Sequence, residues 1–506
     1  MRVFLINPPT AYDEQTSLVE PLGLCYLAAA AKEAGHVVAV HDMVSTRHAD
    51  VDRLFTELDA FDPQVVGLTA MTNAFGRALA LARAVKARYG CTVVVGGWHV
   101  SGDPDGVLDP AIDFAVIGEG EDTFVELLGW LDGSPAALAD IKGIAYERGG
   151  RAVVHERRAR RRDLDALPRP DRTGLPLHLY QVPALLSAPL SRMRTLTIQA
   201  SRGCPYRCTF CQTPSIWTNL WTRRTPAAVV DEIEDLIDEH GVDSIWIRDE
   251  EFTINRRWVL AICRELMRRH LPDRLRWGSF CRVDDIDREF AVQLAEAGYC
   301  YGFLGIDSGD PESRARIQKE YQQEEAERAF ALFRELDITS HGGWIIGFPW
   351  DTRDNLEQQF AWIRSLPVDM LTVTYALPFA GTPFGEQIRR DGLALSTDFE
   401  RFSEKEPVVR TPHIPTAELM RLRSRFIRRF YLRPGHLAAQ VRRVARRPAR
   451  LRIFAEMLWH HLRETRYFGV QPLLRRQQRS FAVPARWHEP RQPRPVVEPG
   501  GAAMGA

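Results

Sequence analysis

The 506-residue sequence predicts an α/β protein: a doubly wound parallel sheet at the N-terminus, a second strand–helix array behind it, and a helical C-terminal region. Three observations predict this. Short apolar strands alternate with helical stretches over residues 1–135 and again over 194–395. Between them, 136–193 lose that alternation and carry a basic run and a Pro-rich piece, the composition of an exposed linker. Over 396–480 apolar residues recur at helical spacing with arginine opposite, and 481–506, rich in Pro, Arg, Gly and Ala, reads as a disordered tail.

In the first array, strands are expected at 2–7, 36–41, 65–69, 92–96 and 114–117, with helices at 22–34, 51–58, 78–89 and 123–131. The strands are continuously apolar, as strands covered on both faces must be, which makes the sheet parallel and Rossmann-like. Ligands of such sheets lie beyond the carboxyl ends of the strands. The loops there are Asn7-Pro8-Pro9, 69–73, Gly96-Gly97-Trp98-His99 and Gly118-Glu119-Gly120. None is G-x-G-x-x-G, which argues against a dinucleotide.

In the linker, 144–147 and 152–155 read as a small hairpin, and the basic run 157–162 as a solvated stretch. The second array has strands at 196–200, 244–248, 276–280, 302–306, 343–346 and 371–376, with helices at 226–240, 255–270, 288–298, 324–336 and 353–365. The helical region should dock an apolar face of Leu419, Leu422, Phe426, Ile427 and Phe430 on that array.

After the first strand of this array runs a loop with Cys204, Cys208 and Cys211, spaced C-x3-C-x2-C. They stand too close together for a disulfide framework, and soft thiolates in one loop suit zinc or an iron–sulfur cluster. No fourth Cys or His follows at the short spacing of a closed zinc knuckle. Three ligands on a four-iron cluster leave one iron open to a cofactor or substrate. The loop, with aromatic Phe210 before the third cysteine, resembles the signature of the radical S-adenosylmethionine (SAM) enzymes. In that family three thiolates hold a [4Fe–4S] cluster whose fourth iron is chelated by SAM, and the barrel is an open, partial (β/α)6. The alternatives are a zinc-stabilised loop and three core cysteines.

The resemblance extends to the strand ends. Arg248-Asp249-Glu250-Glu251-Phe252 is similar to the family's D-[DE]-x-F, Arg282 and Asp284 to its R-x-D turn, and 378–383 to P-x-x-G-T-P. Gly347–Thr352 resembles G-x-P-[GW]-E-T with Asp351 for Glu, and Asp307 likewise stands where Glu is usual. The resemblance implies SAM contacts at Phe210, Asp249, Glu250, Arg282, Asp307, Ser308, Gly347 and Pro349; Lys319 reads as an exposed helix residue.

The N-terminal pieces INPP, PLGLCYLAAAAKEAGH, VVGLTAMTN, VVVGGWH and AVIGEGEDTF resemble the cobalamin-binding domain that precedes many radical SAM domains. The cobalamin contacts implied are Asn7, Pro8, Thr69, Met71, Thr72, Asn73, Gly96, Gly97, His99, Gly118, Glu119 and Gly120. The D-x-H-x-x-G loop that places a His under cobalt is absent, so cobalamin would bind with its own base displaced. His99 then lies near the nucleotide tail or simply caps its loop.

Together these resemblances imply a cobalamin-dependent radical SAM enzyme, similar to the class B methyltransferases, that methylates a carbon centre of a natural product, tetrapyrrole or lipid. A radical rearrangement, cyclisation or oxidation without methyl transfer is the alternative, and no residue separates the two. An RNA-modifying enzyme is disfavoured because no RNA-binding fold is appended, and a cobalamin sensor because the cysteines are intact.

Sixty-six basic residues balance sixty-six acidic ones, so global charge selects no partner, although the arginine-dense C-terminal helices suit an anionic substrate or a peripheral membrane contact. No signal peptide or apolar run long enough to span a membrane is evident. With Cys25, Cys91, Cys263, Cys281 and Cys300 scattered in apolar contexts, a reducing cytoplasm is expected, with flavodoxin or ferredoxin as electron donor.

Overall fold

The computed structural model describes residues 1–10, 19–44, 50–180, 194–403, 406–446 and 481–491. The first sheet contains β1 (Arg2–Asn7), β2 (Val37–Asp42), β3 (Val65–Thr69), β4 (Thr92–Gly96), β5 (Phe114–Val116), β6 (Ile144–Arg148) and β7 (Arg151–Val154), in the order β2-β1-β3-β4-β5-β6-β7. The first five are parallel. Helices α1 (Leu22–Glu33), α2 (Val51–Phe61), α3 (Phe75–Tyr89), α4 (Trp98–Gly102) and α5 (Glu121–Leu131) connect them. Alternate residues of each strand feed opposite cores: Phe4, Ile6, Val66 and Leu68 join one cluster, Val3, Leu5 and Val65 the other. That is why these strands are apolar throughout.

The expected hairpin forms, but it is not linker. It joins this sheet antiparallel to β5, and Ile144 and Ala145 bury an edge that would otherwise be unpaired. The sheet therefore continues past residue 135 to Val154.

The second sheet has six parallel strands in the order β15-β14-β13-β12-β11-β8: β8 (Thr195–Ile198), β11 (Ser244–Ile247), β12 (Arg276–Cys281), β13 (Tyr299–Asp307), β14 (Thr339–Ile346) and β15 (Met370–Tyr375). Two short strands, β9 (Ser201–Arg202) and β10 (Thr222–Arg223), and helix α6 (Thr213–Trp217) lie between β8 and β11. The crossover helices are α7 (Pro226–His240), α8 (Arg256–Arg268), α9 (Arg288–Glu296), α10 (Pro311–Arg316), α11 (Gln323–Glu335) and α12 (Arg353–Ser365), followed by α13 (Pro383–Arg390). Local chemistry sets their limits. The Thr225 side chain caps α7 by accepting from the Ala228 amide, Pro226 opens it, and Gly241 ends it in the left-handed region.

One face of the barrel strands packs on these helices and the other lines a lumen. The N-terminal domain and the linker cover the free edge of β8: Glu20 Oε1 accepts from the Thr197 amide (2.8 Å), and Arg172 donates to the Thr197 carbonyl (2.6 Å). Val19 packs beside them against the lumenal side chains.

The basic run also departs from expectation. Arg160 is buried, pairs with Glu119 (2.8 Å) and donates to the carbonyls of Trp217 and Leu220; Arg157 donates to the Ser215 carbonyl (2.5 Å). The run is a strap between domains: its guanidinium groups reach carbonyls at and just beyond the end of α6, each supplying several donors at once.

Helix α14 (Thr416–Tyr431) docks its apolar face as expected, and α15 (Pro434–Arg446) follows. The expected helix over 447–480 lies outside the described residues. The tail is not wholly disordered: in 481–491 Trp487 stacks on Phe55 at 4.9 Å and its Nε1 donates to Asp52 (2.6 Å), while Arg491 pairs with Asp62 (2.5 Å). Phe481, Val483 and Trp487 supply the apolar anchors that a composition average hides. Residues 492–506 lie outside the described residues.

Candidate active site

The carboxyl ends of the two sheets meet. The turn after β4 packs on the cysteine loop, where Gln212 Nε2 donates to the Trp98 carbonyl (3.2 Å). A Cβ on Gly102 would lie 2.6 Å from the Ala380 carbonyl oxygen. From the turn after β5, Glu119 accepts from Arg202 (3.0 Å) as well as from Arg160, and Glu121 accepts from Arg202 (2.6 Å). Glu119, expected to face cobalamin, is thus occupied as an interdomain clamp.

The cysteine loop is built from its base. β9 pairs antiparallel with β10, and Gly203 at φ +86° leaves no room for a side chain, since a Cβ would sit 2.2 Å from the Leu220 carbonyl. Asp249 and Glu250, expected at SAM, hold this loop instead. Asp249 accepts from the Ala200 amide (2.8 Å) and the Ser201 hydroxyl (2.6 Å), and Glu250 from the Gly203 amide (3.0 Å) and Trp217 Nε1 (2.5 Å). Both face a loop full of donors at the end of β8, the adjacent strand, so these donors saturate them first.

Cys204, Cys208 and Cys211 are partly buried and close enough to feel one another's charge. Burial pushes the Cys204 thiol up to about 12 and Cys208 to about 11, and raises Cys211. Thiols so placed ionise only when a cation accompanies the change, as a bound metal does. Among the described residues no three His, Cys, Asp or Glu side chains converge on one ion-sized point. Three thiolates that each bind a different iron of a cluster need not, so the donor set fits a cluster better than a single zinc.

Beside Cys208 lies a charged group. Lys319 is buried rather than exposed, and its Nζ is 3.1 Å from Asp307, which is held at φ +55°. The misplacement has a physical cause: Lys319 follows the short helix α10, and the chain doubles back there so that its side chain re-enters the barrel mouth. Arg282 is clamped by Asp284 (2.9 and 2.8 Å) and lies 3.8 Å over the ring of Tyr206, within the cysteine loop. The Thr253 hydroxyl bridges Glu251 (2.8 Å) and Asp285 (2.6 Å), and burial pushes these carboxyls up to about 7 and about 6.

Other expected SAM contacts point elsewhere. Ser308 is buried and donates to Gln359 (3.0 Å) on α12, because the turn at Asp307 rotates the following residue away from the lumen. Gly347 packs against Leu419 of α14, and Asp351 accepts from the amides of Gly347 (2.8 Å) and Phe348 (3.0 Å). Pro349 is half-buried, and Phe210 packs on Phe348 and Phe384.

The N-terminal loops offer backbone and unpaired polar atoms. Asn7 is tied to Asp42 (2.8 Å), with Pro8 beside it. Gly97 at φ +107° leaves a Cβ only 2.9 Å from the Ala70 carbonyl, so Gly96-Gly97 bring the backbone in beside Thr69. Met71 is exposed, between Thr69 and Asn73; Gly118 (φ +82°) and Gly120 flank Glu119. Thr72 Oγ1 and both ring nitrogens of His99 are buried without hydrogen-bond partners among the described residues. His99 lies between Phe75 (4.5 Å) and Phe399 (4.4 Å), and burial lowers its pKa to about 4, so the ring is neutral. It caps nothing with its side chain. Orphaned amide-matching groups beside a glycine-opened backbone fit a bulky ligand with polar side chains, as cobalamin is.

Sequence reasoning missed Arg160, Arg172, Arg202 and Lys319 as residues that build the site. Only their burial distinguishes them from surface arginine and lysine.

Residues 13–128 match the family model of the B12 binding domain and 198–393 that of the Radical SAM superfamily. An uncharacterised methyltransferase of Pyrococcus horikoshii is 28% identical over 87% of this chain and 95% of its own. The anaerobic magnesium-protoporphyrin IX monomethyl ester cyclase of Cereibacter sphaeroides is 29% identical over 86% of this chain and 71% of its own. The radical SAM methyltransferase TsrM of Kitasatospora setae, solved with cobalamin and a [4Fe–4S] cluster, superposes with TM-score 0.65 at 22% identity, over 86% of this chain and 82% of that one.

Proposed function

Because the chain belongs to the cobalamin-dependent radical SAM enzymes, we propose that it methylates a carbon centre of a small natural product, tetrapyrrole or lipid. The observation that carries this is the apposition of the two loop sets, cysteines on one side and Gly96-Gly97, Met71 and His99 on the other, joined through Gln212 and Arg202. When bound, the cluster with SAM supplies hydrogen-atom abstraction and cobalamin supplies the methyl group.

The residues of this chain prepare that meeting. Cys204, Cys208 and Cys211 hold the cluster, and Asp249 and Glu250 fix the loop so that the sulfurs stay in place. Asp307 with Lys319 and the Arg282–Tyr206 stack line the SAM position; the Lys319 ammonium offsets negative charge beside the thiolates. Thr69, Met71, Thr72, Asn73, His99 and the Gly96, Gly97, Gly118 and Gly120 backbone receive cobalamin, with the neutral His99 ring on its polar side chains. Val19, Glu20 and Arg172 close the barrel's open side against water.

No helix among the described residues is long and apolar enough to cross a membrane. A cytoplasmic setting and a flavodoxin- or ferredoxin-type donor belong to this reading. Anaerobically rebuilt protein with SAM and a reductant should release 5′-deoxyadenosine and add one CH2 to its substrate. Turnover without a gain in mass would favour the second reading, a radical cyclisation, which the cyclase relative supports.

A further inference from the structure

Arginine is dense in α14 and α15, and the cofactor positions use none of it. Helix α15 lies across the amino ends of β14 and β15, the end of the barrel opposite the cysteine loop. Its inner face is pinned there. Arg443 pairs with Asp337 (3.2 Å) and donates to the Ile338 carbonyl (3.2 Å), and Gln440 donates to Asp369 (3.4 Å). His436, Gln440 and Arg443 recur at helical spacing along that face, so Ala438, Val441, Arg442 and Ala445 point away from the barrel. All four are exposed. Val441 is 62% exposed, and Leu432, which ends α14, is 48% exposed.

Positive charge stands beside both. Arg428 lies one turn before Leu432, Arg433 follows it, and Arg442 follows Val441. Arg364 and Arg334, from the last turns of α12 and α11, come to the same place. Arg433 donates to the Arg364 carbonyl, and burial, with the like charges of Arg334 and Arg364, pushes Arg433 down to about 10. Arg334, Arg364, Arg428 and Arg442 are exposed, and no hydrogen bond or ion pair of their side chains is found among the described residues. The nearby carboxylates are engaged: Asp337 with Arg443, Glu335 with Arg288 (2.6 Å), and Glu357 with Arg425 (3.3 Å) and Arg429 (2.8 Å). Crowded arginines without counter-ions repel one another, and apolar side chains among them are left in water. An apolar medium beneath a layer of anions relieves both.

We infer that this end of the barrel docks on an anionic phospholipid bilayer, with Leu432 and Val441 entering the headgroup region and Arg364, Arg428, Arg433 and Arg442 meeting its phosphates. A nucleic acid would answer the charge but leave the two apolar side chains uncovered. A second copy of this face would set arginine against arginine. Docking in this way turns the cysteine loop away from the bilayer, so the surface does not depend on the catalytic reading above.

The test is sedimentation of the full chain, with cluster and cobalamin loaded, on vesicles of phosphatidylcholine alone or with about one-third phosphatidylglycerol. At low salt the wild-type protein should partition onto the anionic vesicles at least about 10-fold more than onto the neutral ones, and the excess should shrink as salt rises. The triple variant Arg364→Gln, Arg428→Gln, Arg442→Gln should lose that excess. The double variant Leu432→Ser, Val441→Ser keeps every arginine and should bind the anionic vesicles about 5-fold more weakly. Iron content, cobalamin content and SAM cleavage should match the wild type in both, which reports that they fold. Equal binding to the two vesicle types, wild-type binding by either variant, or a preference for single-stranded RNA over anionic vesicles would overturn the assignment.

Discussion

The two faces that meet at the site solve different problems. The N-terminal face presents little charge toward its opening. It offers glycine-opened backbone at Gly96-Gly97, an exposed Met71, and the unpaired polar atoms of Thr72 and His99. The barrel face is dense in charge, nearly all of it paired in advance: Asp307 with Lys319, Arg282 with Asp284, Asp249 and Glu250 with the cysteine loop. A large ligand held over a wide surface needs room and scattered partners, while a small charged one beside thiolates needs fixed charges whose arrangement costs nothing to form at binding. The clamp between the faces, Arg202 and Arg160 on Glu119 and Glu121, belongs to neither ligand and keeps them opposed.

The sharpest way to break the contrast is on the barrel side. Cys208→Ala should remove the cluster absorbance and lower SAM cleavage by more than about 100-fold, since even outer-shell losses cost 10–100-fold at metal sites. Cobalamin retention should remain near the wild-type level, and its loss would show that the faces are not independent. Arg202→Met attacks the clamp. It leaves buried Glu119 and Glu121 short of a counter-charge and should cost about 3–5 kcal/mol in denaturant unfolding.

On the N-terminal side, Gly97→Ala combines a left-handed backbone with a close contact and should cost about 1–3 kcal/mol. It should release cobalamin while iron content is unchanged. His99→Phe separates packing from binding. Removing orphaned nitrogens from an aromatic sandwich should leave thermal stability equal or higher, yet weaken cobalamin binding about 10-fold, one hydrogen bond's worth.

The smallest effect concerns pH. Burial pushes Asp351 up to about 7, so between its ordinary value of 3.8 and 7 the folded state keeps a proton that the unfolded state has lost. Its contribution to stability therefore falls as pH rises through that window and is flat above it. Asp351→Asn should flatten that part of the stability–pH curve, measured as the denaturant midpoint from pH 5 to 8.

Much of this was legible in the sequence, and for identifiable reasons. Strand–helix alternation gave eleven parallel strands, because apolar runs between Gly and Asn turns are written locally. C-x3-C-x2-C placed the thiols, because a single loop supplies all three. The glycine pairs were visible because a missing side chain is itself a local statement about backbone approach. Side-chain direction was not legible. Lys319 turns inward after α10, Ser308 turns outward after Asp307, and the arginines at 157 and 160 bury in a strap, although each reads as solvated or site-facing from its neighbours. Nor did composition reveal that Trp487 seats the tail on α2.

By itself, then, the sequence determined the two domain types, their order and the atoms that can bind metal, since these depend on residue kinds at short spacing. Only the tertiary structure decided which charges neutralise one another and which of them close the domain interface. Those outcomes depend on distances between residues far apart in the chain. Burial makes each unmet charge or donor expensive, so the fold spends most of them on itself and leaves few for a ligand.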